Sequence, residues 1–176
     1  MTLREYLLKR VLPRIDGRKL LRYALYIFLA LVLQNMLLTG LRIAGVCPLV
    51  LPAAAVALGM FEGPVFGALM SAVMGFFGDM AFRENTVLFT IAFPLLSFGA
   101  SFVTRFFINR RFFAFMGAAF LASLLMGLMQ MLRTAVGDSF SMTMLGTVAL
   151  QTLWSLPFAP LAFWPISHWD ARPSSD

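Results

Sequence analysis

Long apolar runs separated by short polar turns set the rhythm of this chain. Residues 23–41, 64–80, 86–107, 112–132 and 142–166 are nearly unbroken hydrophobic stretches. A helix rises about 1.5 Å per residue, so about 20 apolar residues cross the roughly 30 Å of bilayer hydrocarbon. A sixth run, 46–60, is shorter and opens with Pro48 and Pro52. It is read as a span, with a re-entrant or broken segment as the alternative. The polar punctuation is Arg42; Glu62, Gly63 and Pro64; Arg83, Glu84 and Asn85; Asn109, Arg110 and Arg111; and Gly137, Asp138 and Ser139. Pro64 suits a helix start, where its missing N–H has no partner to lose. Pro94 is expected to kink the fourth span, and Pro157 and Pro160 to interrupt the sixth. The pattern predicts an all-α polytopic membrane protein of about six transmembrane helices in a compact bundle.

Three regions follow. Residues 1–22 form a basic leader, 23–167 the six-span membrane domain, and 168–176 a polar tail expected to be mobile. Leu3, Tyr6, Leu7, Arg10 and Val11 are spaced for a short amphipathic helix lying on the membrane surface. The apolar run behind the leader is too long for the h-region of a signal peptide, so the first span should be retained.

Composition strengthens the membrane reading. The chain is 60% hydrophobic and only 12% charged, against about 25% charged for soluble domains. Seven of its 14 basic residues precede the first span: Arg4, Lys9, Arg10, Arg14, Arg18, Lys19 and Arg22. With six crossings and a cytoplasmic N-terminus, Arg105, Arg110, Arg111 and Arg172 join them inside, leaving Arg42, Arg83 and Arg133 outside. That asymmetry obeys the positive-inside rule and places both termini in the cytoplasm. The basic excess therefore points to lipid headgroups as partner; no nucleic acid is expected, since that would need a soluble basic module.

Little here promises chemistry. One cysteine, Cys47, permits no intrachain disulfide and no thiolate metal cluster. His168 is a lone titratable group beside Trp164 and Trp169, which fit an interfacial belt. HExxH, CxxC, Walker and GxSxG motifs are absent from the sequence. The expectation is no catalytic residue, no metal, no cofactor and no enzyme. What does stand out is a four-residue ladder: Gly59, Gly63, Gly67, Ser71, Gly75 and Asp79. Four-residue steps keep to one helix stripe, and in lipid such small-residue stripes let backbones approach closely. Gly63, Gly67, Ser71, Gly75 and Asp79 are the candidate partner interface; packing against a helix of the same chain is the plainer alternative. Asp79 reads either as a functional intramembrane carboxylate or as an interfacial ion pair with Arg83. Gln34, Asn35, Gln130 and Gln151 are the intramembrane polar side chains, read as interhelical glue or as contacts to a ligand or partner.

The stretch LQNMLLTGL (33–41) followed by GVCPLVLPAAAVALGMFEGPVFGALMSAVMGFFGD (45–79) resembles the rod shape-determining MreD family. The resemblance lies in Gln34 near the outer end of the first span, the Gly45-x-x-Pro48 entry to the second, the turn with Gly63, and a glycine-rich third span closed by Asp79. The chain departs from the family at Leu49, which follows Pro48 where the family has an acidic residue, and in the loop after Asp79. The resemblance implies a bundle similar to the S component of energy-coupling-factor transporters, in the bacterial cytoplasmic membrane. It also implies a non-enzymatic subunit of the cell-elongation complex, with MreC as partner and MreB, RodA and a penicillin-binding transpeptidase reached through the complex. The alternative is a substrate-binding S component that takes up a vitamin or metal ion. The Ala-x-x-x-Ala docking pattern of those proteins is missing, since Phe28 stands four residues after Ala24.

Overall fold

The computed structural model describes residues 17–41, 45–81, 87–106, 112–137 and 142–170. Most of the leader, the turns around Arg42, Arg83, Arg110 and Asp138, and the last six residues lie outside these. All regular structure among the described residues is helical. Helix α1, Gly17–Val32, runs on through a π-helical turn, Leu33–Leu37, and a 3-10 turn, Leu38–Gly40. Then come α2 (Leu51–Glu62), α3 (Pro64–Ala81), α4 (Leu88–Phe106) and α5 (Phe112–Gly137). Helix α6, Met142–Ser155, passes through a 3-10 turn at Leu156–Phe158 into α7, Ala159–Asp170, forming the last of six rods. Lys19–Gly40, Pro64–Ala81 and Phe112–Arg133 are long and apolar enough to cross a membrane, and Leu51–Glu62 and Leu88–Phe102 are shorter apolar helices. This is in keeping with a multi-pass membrane protein.

The second rod differs most from its sequence reading. The apolar run 46–60 is not one helix: residues 47–50 are non-helical, and α2 starts only at Leu51. Pro48 has no N–H to donate to a helix, whereas Pro52 sits in the first turn of α2, where the missing N–H has no partner to lose. At 12 residues α2 spans only about 18 Å. Every position from Leu51 to Met60 is buried, because α2 is the central post against which α1, α3, α4, α5 and α7 pack. Ala53, Ala54, Ala55 and Ala57 keep it thin enough to be enclosed.

Other boundaries shift for identifiable reasons. α1 begins at Gly17, ahead of the apolar run, so Lys19 and Arg22 stand on its first turns. The tail expected from His168 is helical through Asp170. α4 runs unbroken past Pro94. The interruption expected at Pro157 is one 3-10 turn, with Pro160 accommodated in the first turn of α7.

The bundle has two ends. At the leader end, the Lys19 ammonium lies 2.8 Å from the Glu62 carboxylate, the Tyr23 hydroxyl donates to the same carboxylate, and Tyr23 meets Phe66 edge-on. Phe163 closes that end against Phe61, Phe112 and Phe115. Large apolar side chains such as Leu21, Phe28, Leu69, Ile91 and Leu132 point outward, as a hydrocarbon solvent requires.

Candidate functional site

The polar groups of the interior gather at the far end, around the non-helical stretch ahead of α2. Gln34 sits in the π-helical turn of α1 and is fully buried. Its Nε2 donates to the Pro48 carbonyl at 2.9 Å, and its Oε1 accepts from the Val50 N–H at 2.8 Å. One side-chain amide thus pairs both ways with the backbone on either side of Leu49. The Leu49 N–H donates to Ser155 Oγ at 2.8 Å, and that hydroxyl donates to the Gln151 carbonyl at 2.6 Å. Gln151 Nε2 reaches toward the Cys47 carbonyl at 3.4 Å, and the Trp154 indole N–H donates to the Leu41 carbonyl at 3.2 Å. Pro48, Leu49 and Val50 are buried, and buried non-helical backbone needs such partners because no water reaches it. Side chains from α1 and α6 perform that role here.

Asp79 forms a second joint. It stands near the end of α3 and caps the start of α4: Oδ1 accepts from the Phe89 N–H at 3.0 Å, Oδ2 from the Thr90 N–H at 2.8 Å and from Thr90 Oγ1 at 2.6 Å. The first N–H groups of any helix lack partners within it, and a carboxylate there also meets the positive end of the helix dipole. Asp79 is therefore a cap donated across the α3–α4 hairpin, a role neither sequence reading foresaw; Arg83 lies outside the described residues. Glu62, read as a turn residue, ends α2 in the ion pair with Lys19.

The glycine ladder is occupied from within. A Cβ on Gly59 would stand 2.0 Å from the Ser97 carbonyl oxygen, and one on Gly75 2.3 Å from that of Phe89. On Gly67 it would lie 2.8 Å from the Leu58 carbonyl oxygen. Ser71 is buried and donates to the Gly67 carbonyl at 2.7 Å. Gly63 faces open space and supplies a backbone φ of +85° at the turn between α2 and α3. The strip Gly67–Ser71–Gly75 is covered by α2 and α4 of the same chain, the plainer of its two sequence readings.

No family model, curated protein or solved structure matches this chain.

The remaining polar candidates divide. Gln130 and Gln151 come together with Thr147 around a small cavity of about 150 Å³ between α5 and α6. Asn35 lies apart from Gln34 despite being its neighbour: it is exposed on the outside of α1 and donates Nδ2 to the Leu31 carbonyl at 2.9 Å. A larger cleft of about 410 Å³ separates α4 from α5, floored by Val56 and walled by Gly99, Ala100, Ala114, Ala118 and Ala122. Ser155, Tyr23 and Lys19 escaped the sequence reading. Ser155 follows Gln151 by four residues, and that spacing was the available signal of a shared face.

Proposed function

We propose that this chain is a non-enzymatic membrane scaffold of the MreD kind, crossing the membrane six times with its leader in the cytoplasm. The observation that carries the reading is where the resemblance-bearing residues meet. Gln34 and Pro48 are hydrogen-bonded to each other, and Gly75 and Asp79 seat the start of α4. A motif spent wholly on joints fits a protein whose task is to hold a rigid shape for others. In this reading α2 and the non-helical residues 47–50 before it together make the second crossing. Those four residues add at most about 13 Å to the helix's roughly 18 Å, close to the thickness of the hydrocarbon. The partner is MreC, and through it MreB, RodA and a penicillin-binding transpeptidase. Because α4 covers the small-residue strip, the surface offered to MreC is an outward-facing one.

Uptake of a vitamin or metal ion as an S component has weaker support. The cavity beside Gln130 and Gln151, at about 150 Å³, is smaller than the roughly 300–1,000 Å³ of ordinary ligand pockets. The cleft of about 410 Å³ between α4 and α5 is lined by apolar residues alone, with no polar side chain to replace the hydration of a vitamin or an ion. Affinity purification from native membranes tests the proposal directly. An MreC-like protein should co-purify, and depletion of the chain should turn rod-shaped cells round. Unchanged cell shape, or a vitamin found with the purified protein, overturns it.

A further inference from the structure

Asn35 is in the wrong place for a side chain that finishes its hydrogen bonding within one molecule. It projects from the outer face of α1, beyond exposed Leu21, Ala24, Leu25 and Phe28, whose spacings of three and four put them on one side of the helix. Asn35 lies within Lys19–Gly40, a segment long and apolar enough to cross a membrane, so in the membrane reading its outward side meets lipid. Its amide has two N–H groups and a carbonyl. One N–H is taken by Leu31, and among the described residues no donor reaches Oδ1. One donor and one acceptor are left facing lipid, where neither can be satisfied.

We infer that the outer face of α1 is a self-association surface, with Asn35 pairing to Asn35 of a second copy across a two-fold axis. An amide with a spare donor and a spare acceptor is its own complement, so a two-fold arrangement satisfies both groups twice. A symmetric interface sets a residue near the axis against itself. Ala24 keeps the crossing close, and Leu21, Leu25 and Phe28 supply the packing that drives helix association in lipid. Lys19 does not oppose its copy with a free charge, because it is paired with Glu62 on the inner side. The surface depends on the membrane reading of α1 but not on any role in cell shape.

The test is disulfide cross-linking in membranes with Cys47→Ala and Leu25→Cys. A covalent dimer should form, persist with Asn35→Gln and fall about tenfold with Asn35→Leu. Because Asn35 is exposed, Asn35→Leu should unfold at the same temperature as its parent. Ala24→Phe, on the same face and away from the amide, should also lower the yield, and Leu153→Cys on exposed α6 should give no dimer. Undiminished dimer in Asn35→Leu or Ala24→Phe, or cross-linking only to a different polypeptide, overturns the inference; the second result would assign the face to another protein.

Discussion

Single atoms decide much of this fold. Three residues of the ladder, Gly59, Gly67 and Gly75, permit helix crossings closer than any side chain allows, since real Cβ atoms do not stand 2.0, 2.8 or 2.3 Å from a carbonyl oxygen. Gly59→Ala or Gly75→Ala must push α4 away from α2 or α3, opening space along the whole crossing. Gly78, on the same helix, would bring its Cβ only to ordinary contact at 3.7 Å from Leu51 and Phe89. Thermal unfolding in detergent should separate them: Gly75→Ala destabilised by about 1–3 kcal/mol or more, as for overpacked cores, and Gly78→Ala near the parent. The glycine spacing was legible in the sequence. Which glycines bear a crossing was not, because spacing gives a stripe and only the neighbouring helix says where it is touched.

Elements are joined here by side chains reaching from one helix to the backbone of another. Gln34 substitutes for the helical hydrogen bonds that Pro48 denies the second rod. Asp79 substitutes for those that the start of α4 lacks. Gln34→Leu leaves the Pro48 carbonyl and the Val50 N–H buried without partners and should cost about 2–6 kcal/mol, from a penalty of about 1–3 kcal/mol for each such group. Gln34→Glu keeps an acceptor for Val50 and should fall between. Asp79→Ala should cost about 1–2 kcal/mol, the range for a lost helix cap. The same unfolding assay ranks the three, and a Gln34→Leu protein as stable as the parent would deny the amide its role. The sequence marked both residues as polar and buried in apolar runs. It could not name their partners, 14 and 11 positions further on, because the intervening turns set which backbone comes within reach.

Over the whole molecule, packing is dense around α2 and open between α4 and α5. These two are neighbours in sequence yet barely touch, and the cleft of about 410 Å³ between them is lined by leucines together with the small residues Gly99, Ala100, Ala114, Ala118 and Ala122. A larger side chain has room there. Ala118→Leu should leave the unfolding temperature unchanged or raise it, whereas Ala57→Leu on the enclosed post should lower it. Equal destabilisation by both would mean that the cleft is closed in the folded protein. A central post inside a ring of helices also explains why the shortest apolar run is the most deeply buried.

The long apolar runs alone determined that this chain is helical and suited to lipid, because the other backbone arrangement that satisfies its own polar groups in hydrocarbon, a closed β-barrel, shows short segments of alternating polarity. The same runs also located the six rods, although the first begins at Gly17, inside the basic leader, and the second only at Leu51, after Pro48. Tertiary structure alone decided that the second run breaks at Leu51, that the small-residue strip faces inward, and that Gln34 is buried while Asn35 beside it is exposed. Those outcomes depend on which neighbour stands against each face, and a linear pattern of apolar and polar positions holds no record of that.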